Sequence, residues 1–212
     1  MKNKKIIFDL CGTIVDSNTT FDFIKYYHRK KRNYMAYIYV SLLTSIFGKI
    51  LHRTFRFSMR KKALKTLKGI LPEQLISLAY GFSEVTLKNK KIDIVFKILE
   101  FYKNNENYEI IIASASINPV VQAFSIILNI PFISSELEIK DKRITGYISC
   151  DLKGNKLKYF SEEQIHLVIT DNFDDLPLIQ KAEKAIIISK SKNIDKWKNI
   201  GLNKNKEYLI EL

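Results

Sequence analysis

The chain has 212 residues, 46% of them hydrophobic and 12% aromatic, with a formal net charge of +13. That length holds one core domain plus a modest insertion, and that composition excludes a wholly disordered chain. Two cysteines, Cys11 and Cys150, lie far apart without metal-ligand spacing, which excludes a disulfide scaffold and points to a reducing, cytoplasmic setting.

In chain order, the opening Met1-Lys2-Asn3-Lys4-Lys5 passes straight into Ile6-Ile7-Phe8, which Asp9 interrupts at once, so no secretory signal is expected. Lys5-Ile6-Ile7-Phe8 is the first of four short apolar runs. The others are Tyr108-Glu109-Ile110-Ile111-Ile112, His166-Leu167-Val168-Ile169 and Ala185-Ile186-Ile187-Ile188. Continuous rather than alternating runs predict strands buried on both faces of a parallel sheet. Helical stretches at 92–102 and 120–128 separate them, so the pattern predicts an α/β fold with a doubly wound, mainly parallel, Rossmann-like sheet. Residues 131–149 read as short strands around a turn at Asp141-Lys142-Arg143.

Residues 18–90 lack any strand pattern and show several helical periods. A simple crossover needs about 30 residues, so this stretch reads as an inserted helical unit, with 1–17 and 91–212 forming the α/β core. Within it, 33–48 is an uncharged run flanked by basic residues, too short to span a bilayer, which takes about 20 residues. It is expected to be a helix buried in the insertion or against the core. The less favoured alternative is a helix lying in a membrane surface, with Arg29 to Arg32 near headgroups. Basic residues run from end to end of a sequence rich in lysine, isoleucine and asparagine, so the charge reads as compositional bias. No nucleic-acid partner is expected.

Ligands of a doubly wound sheet sit beyond the carboxyl ends of its strands. The first run ends in Asp9, the second in Ser114 after Ala113, and the third in Asp171 after Thr170. Two carboxylates in one crevice repel unless a cation lies between them, and hard oxygen ligands favour Mg2+. Such a metal with a hydroxyl and a lysine forms a receptor for a phosphoryl group, and the bare carboxylate becomes a nucleophile.

These residues carry a resemblance. Ile6-Ile7-Phe8-Asp9-Leu10-Cys11-Gly12-Thr13 resembles the first motif of the haloacid dehalogenase superfamily, a strand followed by Asp-x-Asp-Gly-Thr. Ile110-Ile111-Ile112-Ala113-Ser114-Ala115-Ser116 is similar to the second motif in its phosphoserine-phosphatase-like branch. Ile169-Thr170-Asp171-Asn172-Phe173-Asp174-Asp175-Leu176 is similar to the fourth, and the helical insertion resembles that branch's cap. The resemblance implies a Mg2+-dependent phosphatase of a small phosphorylated substrate. Asp9 would form an aspartyl-phosphate, and Asp9 and Asp171 would hold the metal, with Asp175 completing the site and position 11 giving its backbone carbonyl. Ser114 would bind phosphoryl oxygens beside Ala115 and Asn172, and Thr13 would support the loop after the nucleophile. For the third-motif lysine, Lys156 fits a Lys-apolar-x-x-apolar form and Lys153, followed by Gly154, fits the phosphoserine-phosphatase form. Lys156 is preferred.

Two departures matter. Cys11 stands where the resemblance implies a second aspartate, the general acid and base, whose positioned help is worth roughly 10²- to 10⁴-fold. Metal and phosphate binding with impaired turnover is therefore expected, or a phosphate-binding protein with little turnover. Asn18 stands where phosphoserine phosphatases place a glutamate that reads the substrate ammonium, which weakens the case for phosphoserine itself. A membrane-surface protein acting on a lipid-linked or glycan-precursor phosphate is a further alternative. His28, His52 and His166 share no site-like spacing, and His166 is expected to be a satisfied core residue. The aromatics from Phe21 through Tyr39 are expected to form the core of the insertion.

Overall fold

The structure, a computed structural model, describes residues 4–55, 57–201 and 207–212. Strand β1 (Lys4–Phe8) opens the chain. Among the described residues six helices separate it from the next strand, the first five being α1 (Thr19–Lys30), α2 (Tyr34–Thr44), α3 (Ile46–Phe55), α4 (Met59–Lys65) and α5 (Pro72–Lys90). Helix α6 (Asp93–Lys103) leads into β2 (Tyr108–Ile117), α7 (Asn118–Leu128), β3 (Phe132–Lys140) and β4 (Arg143–Cys150). The chain then returns through β5 (Ile165–Thr170), α8 (Leu176–Lys181), β6 (Lys184–Ser189), α9 (Ser191–Asn199) and β7 (Glu207–Glu211).

The sheet order is β4-β3-β2-β1-β5-β6-β7, so the first strand is central and the chain winds outward from it in both directions. All pairs are parallel except the β3–β4 hairpin. Its two-residue turn, Asp141-Lys142, has φ of 50° and 60°; positive φ at both central positions matches the right-handed twist of the strands it joins.

The central strands are apolar on both faces because both faces are covered. Ile6 and Phe8 of β1, with Leu167 and Ile169 of β5, join one core cluster, while Ile7 and Val168 join a second with Ala185, Ile187 and Trp197. This is the alternation that strand geometry imposes. Pairing places Phe8 beside Ile112 on one side and beside Ile169 on the other. One step further along lie Asp9, Ala113 and Thr170, then Ser114 and Asp171. Register alone gathers these polar residues at the switch point of the sheet.

Three expectations change. Strand β2 does not stop before Ser114 but continues to Ile117. The run 33–48 is two helices broken at Ser45, and of its large apolar side chains only Val40 and Leu43 are buried. It is not a buried helix: α1 and α4 pack on one of its faces, while Met35, Ile38, Tyr39 and Leu42 on the other stay exposed among the described residues. The aromatics of 21–39 divide likewise: Phe23 and Tyr27 are core, whereas Tyr34 and Tyr39 face outward.

Candidate functional site

A cleft of about 400 Å³ opens at the carboxyl ends of β1, β2 and β5, lined by Ser114 within β2 and by Asp9, Cys11, Asp171 and Asn172 just beyond β1 and β5. Asp9 is buried and fixed by its own backbone: its N–H donates to the Ile169 carbonyl at 2.9 Å, and its Oδ1 accepts from the Leu10 N–H at 2.7 Å. Its Oδ2 lies 3.0 Å from Lys156 Nζ. The same ammonium reaches Asp175 Oδ2 at 2.7 Å, which also accepts from Thr170 Oγ1 at 2.7 Å.

The two lysines are placed differently. Lys156 opens a 3-10 turn (Lys156–Phe160), and its side chain is 3% exposed, whereas the Lys153 side chain is 60% exposed, on the cleft rim 3.8 Å from Asp174. Burial pulls the Lys156 pKa down, but Asp9 and then Asp175 outweigh it and hold the ammonium above its ordinary range. Burial lifts the Asp175 carboxyl, while Lys156 and Thr170 favour its charge. With an ammonium at 2.7 Å whose own shift is upward, the pair is ionic.

Asp171 lies across the cleft floor. Burial, then the Asp9 charge, pushes its carboxyl up to about 7, against a hydrogen bond from Thr13 Oγ1 at 3.3 Å. Gly12 makes this approach possible. At φ +71° it occupies a left-handed conformation, and a Cβ there would sit 2.1 Å from Asp171 Oδ2. Among the described residues, no group of three or more His, Cys, Asp or Glu side chains stands together as a metal cluster. The donor set instead fits a hard cation held by two carboxylates: Asp9 and Asp171 are desolvated like charges, and Asp175 Oδ1 is buried without a hydrogen-bond partner.

Cys11 faces a different network. Its Sγ lies 2.9 Å from Thr19 Oγ1, which donates to Ser116 Oγ at 2.7 Å; Thr20 Oγ1 lies 2.8 Å from the same oxygen. Because Thr19 gives its proton to Ser116, the thiol is the donor to Thr19. Burial first, and Asp9 second, push the thiol up to about 11, so it is neutral at physiological pH.

The sequence reading omitted one conspicuous residue of this cleft. Arg60 of α4 pairs with Asp151 at 2.8 Å and donates to the Ala115 carbonyl, tying α4 to the cleft wall. No motif marks it; the absence of any acidic neighbour in α4 was the one available sign that its partner lay elsewhere. Asn18, Phe21 of α1 and Met59 of α4 also line the cleft. Asn172 accepts from the Asp174 N–H at 3.0 Å, and Phe173 stacks on the buried Trp197 at 4.0 Å between centroids. The histidines stand apart from the cleft: His166 meets Glu183 at 2.7 Å, His28 is buried against Thr66 at 2.9 Å, and the His52 side chain lies outside the described residues.

The family of haloacid dehalogenase-like hydrolases matches residues 6–180. The chain belongs to that family. Solved structures agree in fold. A protein of unknown function from Bordetella pertussis Tohama I aligns with a TM-score of 0.75 at 12% identity, covering 98% of this chain and 99% of that one. A phosphoserine phosphohydrolase-like protein from Francisella tularensis aligns at 0.59 and 20% identity, covering 98% and 94%. A substrate-bound phosphoserine phosphatase aligns at 0.58 and 18% identity, covering 99% and 93%. No curated protein sequence matches the chain. At these identities the structural likeness concerns the fold, and the chemistry rests on the residues in the cleft.

Proposed function

We propose that this haloacid dehalogenase-like hydrolase is a cytoplasmic, Mg2+-dependent phosphatase of a small phosphomonoester, with 1–17 and 91–212 as its catalytic core and 18–90 as its cap. The observation that carries this reading is the buried Asp9 carboxylate at the floor of a cleft, held by Lys156 at 3.0 Å and facing Asp171. Asp9, Asp171 and the Cys11 carbonyl would hold Mg2+, with Asp175 completing the site, and the bound metal would neutralise charge on the phosphoryl oxygens.

The chain's own residues then divide the work. An Asp9 oxygen attacks phosphorus, forming an acyl phosphate as the bond to the leaving oxygen breaks, and the alkoxide takes a proton from solvent water to leave as the alcohol. Lys156 balances the negative charge gathered around Asp9. The Ser114 hydroxyl, with Ala115, Asn172 and Lys153 around the cleft, positions the phosphoryl group, and Thr13 holds Asp171 in place. Water attacks the acyl phosphate in the second step, releasing phosphate and restoring Asp9. That step lacks a base. A neutral thiol at position 11, its proton directed to Thr19, cannot accept a proton from water, so hydrolysis of the intermediate limits turnover.

The test is rapid quench with a panel of phosphoesters, with and without Mg2+. A burst of alcohol release, stoichiometric with protein and followed by slow turnover, is expected, with labelled phosphate bound to the native chain and absent from a folded Asp9→Asn variant. Labelling that persists in Asp9→Asn overturns the assignment of the nucleophile; no labelling with any ester makes the protein a phosphate binder.

A further inference from the structure

The net charge of the chain is not spread along it. Residues 23–72 contain 13 Lys and Arg and no Asp or Glu. The 35 basic residues of the whole chain less these 13 leave 22, equal to the 22 acidic residues elsewhere. The entire +13 therefore sits on residues 23–72, from just past Asp22 in α1 to the first residue of α5. Arg29, Lys30, Lys31 and Arg32 are exposed just before α2, and Lys61, Lys62 and Lys65 are exposed on α4, which packs against α2. No acidic residue occupies the first turn of α2, so the positive end of that helix adds to the same field.

Directly after Arg29 to Arg32, helix α2 presents an apolar face. Met35, Ile38, Tyr39 and Leu42 fall at i, i+3, i+4 and i+7, one side of α2, and all are exposed, Met35 by 82%. Ile46 and Phe47, 79% and 67% exposed, and Ile50 continue it onto α3. The opposite side of α2 is apolar too, with Val40 and Leu43 in the core. A helix that is apolar all round belongs in an apolar environment on both sides. The two helices are held in one arrangement: Ser45 Oγ accepts from the Gly48 N–H at 3.2 Å, and a Cβ at Gly48 would sit 2.2 Å from the Leu43 carbonyl. Only glycine lets α3 fold so closely onto the end of α2.

We infer that α2 and α3 form a docking face for an anionic membrane surface, their exposed apolar side chains lying in the interface and the surrounding basic residues on acidic headgroups. The inference does not rest on the catalytic reading. Among the described residues no helix is long and apolar enough to cross a membrane, so the contact is in-plane. Tyr34 and Tyr39 have the amphipathic rings suited to headgroup depth. A second copy of the chain fits worse, because pairing these faces would bring together two segments that are each strongly basic with no acidic residue to meet them. A nucleic acid would match the charge but not the apolar face between.

Full-length protein is sedimented with vesicles of equal parts phosphatidylglycerol and phosphatidylcholine, and with phosphatidylcholine alone. Binding to the acidic vesicles at least about tenfold stronger is expected, weakening in high salt. Ile38→Asp/Leu42→Asp changes exposed side chains only and should lose about tenfold or more, as should Lys30→Glu/Lys31→Glu, with thermal melts confirming that both variants fold. Absence of vesicle binding overturns the inference, and so does binding that the Ile38→Asp/Leu42→Asp variant retains. Sedimentation velocity without lipid adds one more arm: a native dimer that this variant dissociates, with no vesicle binding, assigns the face to a second copy instead.

Discussion

Lys156 Nζ lies 3.0 Å from Asp9 Oδ2 and 2.7 Å from Asp175 Oδ2, all three side chains almost fully buried. One cation therefore compensates two carboxylates in a water-poor site. Removing one member of a buried ion pair leaves an uncompensated charge and costs about 3–5 kcal/mol. Lys156→Met should therefore destabilise the fold by an amount of that order in urea titration. Lys153→Met, at the exposed rim, should shift stability by less than about 0.5 kcal/mol. If Lys156 is also the charge-balancing lysine of catalysis, its loss should lower phosphatase activity far more than loss of Lys153. The reverse ranking would move that role to Lys153.

Gly12 and Asp171 make the second relationship that can be tested. A methyl group at position 12 would lie 2.1 Å from Asp171 Oδ2, on a backbone at φ +71°. Either Asp171 is displaced or the loop after Asp9 shifts. Gly12→Ala should cost more than about 1 kcal/mol from backbone strain alone. It should also weaken Mg2+ binding by isothermal titration, whereas Gly154→Ala, with the same sign of φ but nothing near its Cβ, should leave Mg2+ binding unchanged.

Asp171 supplies a pH dependence. Its folded-state pKa of about 7 is above its ordinary value of 3.8. The folded protein without metal thus holds a proton that the unfolded chain gives up, and its stability falls as pH rises through the window from 3.8 to about 7. A cation at Asp171 competes with that proton, so Mg2+ affinity should rise about tenfold per pH unit below the folded pKa and level off above it. Thermal shift by Mg2+ on either side of neutrality measures this. Asp171→Asn should abolish the pH dependence; a pH-independent Mg2+ shift in the native protein would separate Asp171 from the metal.

Much of this site was legible in the sequence because the strands are short, apolar and buried on both sides, so a polar residue at their ends is conspicuous. Asp9, Ser114 and Asp171 stood out for that reason. Lys156 was preferred to Lys153 on its apolar spacing alone; what sets them apart physically is the 3-10 turn, which buries Lys156 and leaves Lys153 on the rim. Arg60 was invisible, because its partners, Asp151 and Ala115, are distant in the chain and are met only when α4 folds over the cleft. Strand β7, Glu207–Glu211, escaped notice because a sheet-edge segment with acidic ends lacks the continuous apolar run of the central strands. The run 33–48 misled in an instructive way. Its lack of charge suggested burial, yet absence of charge says only that an apolar environment suits it, not whether protein provides one.

The last prediction concerns the residue that departs most from the family pattern. Cys11→Asp should abolish the burst and raise steady-state turnover. The thiol is neutral, with its pKa pushed up to about 11, and gives its proton to Thr19. A carboxylate there can instead accept from Thr19 and, on the cleft side, take a proton from the water that attacks the acyl phosphate. Positioned groups of this kind are worth roughly 10²- to 10⁴-fold. The gain should fall short of that range, because burial and the charge of Asp9, the two influences that raise the thiol pKa, also disfavour a new carboxylate. Bound Mg2+ offsets that repulsion, so chelator should erase the gain. The metal contact proposed at this position is the backbone carbonyl, which the substitution preserves, and Mg2+ affinity should change little. Rapid-quench and steady-state rates on both forms, with a parallel Mg2+ titration, decide the matter. A mutant that is faster and shows no burst places the bottleneck at hydrolysis of the intermediate. A mutant no faster than a native protein that already turns over well means that Cys11 serves another chemistry, and the proposed mechanism fails at its second step.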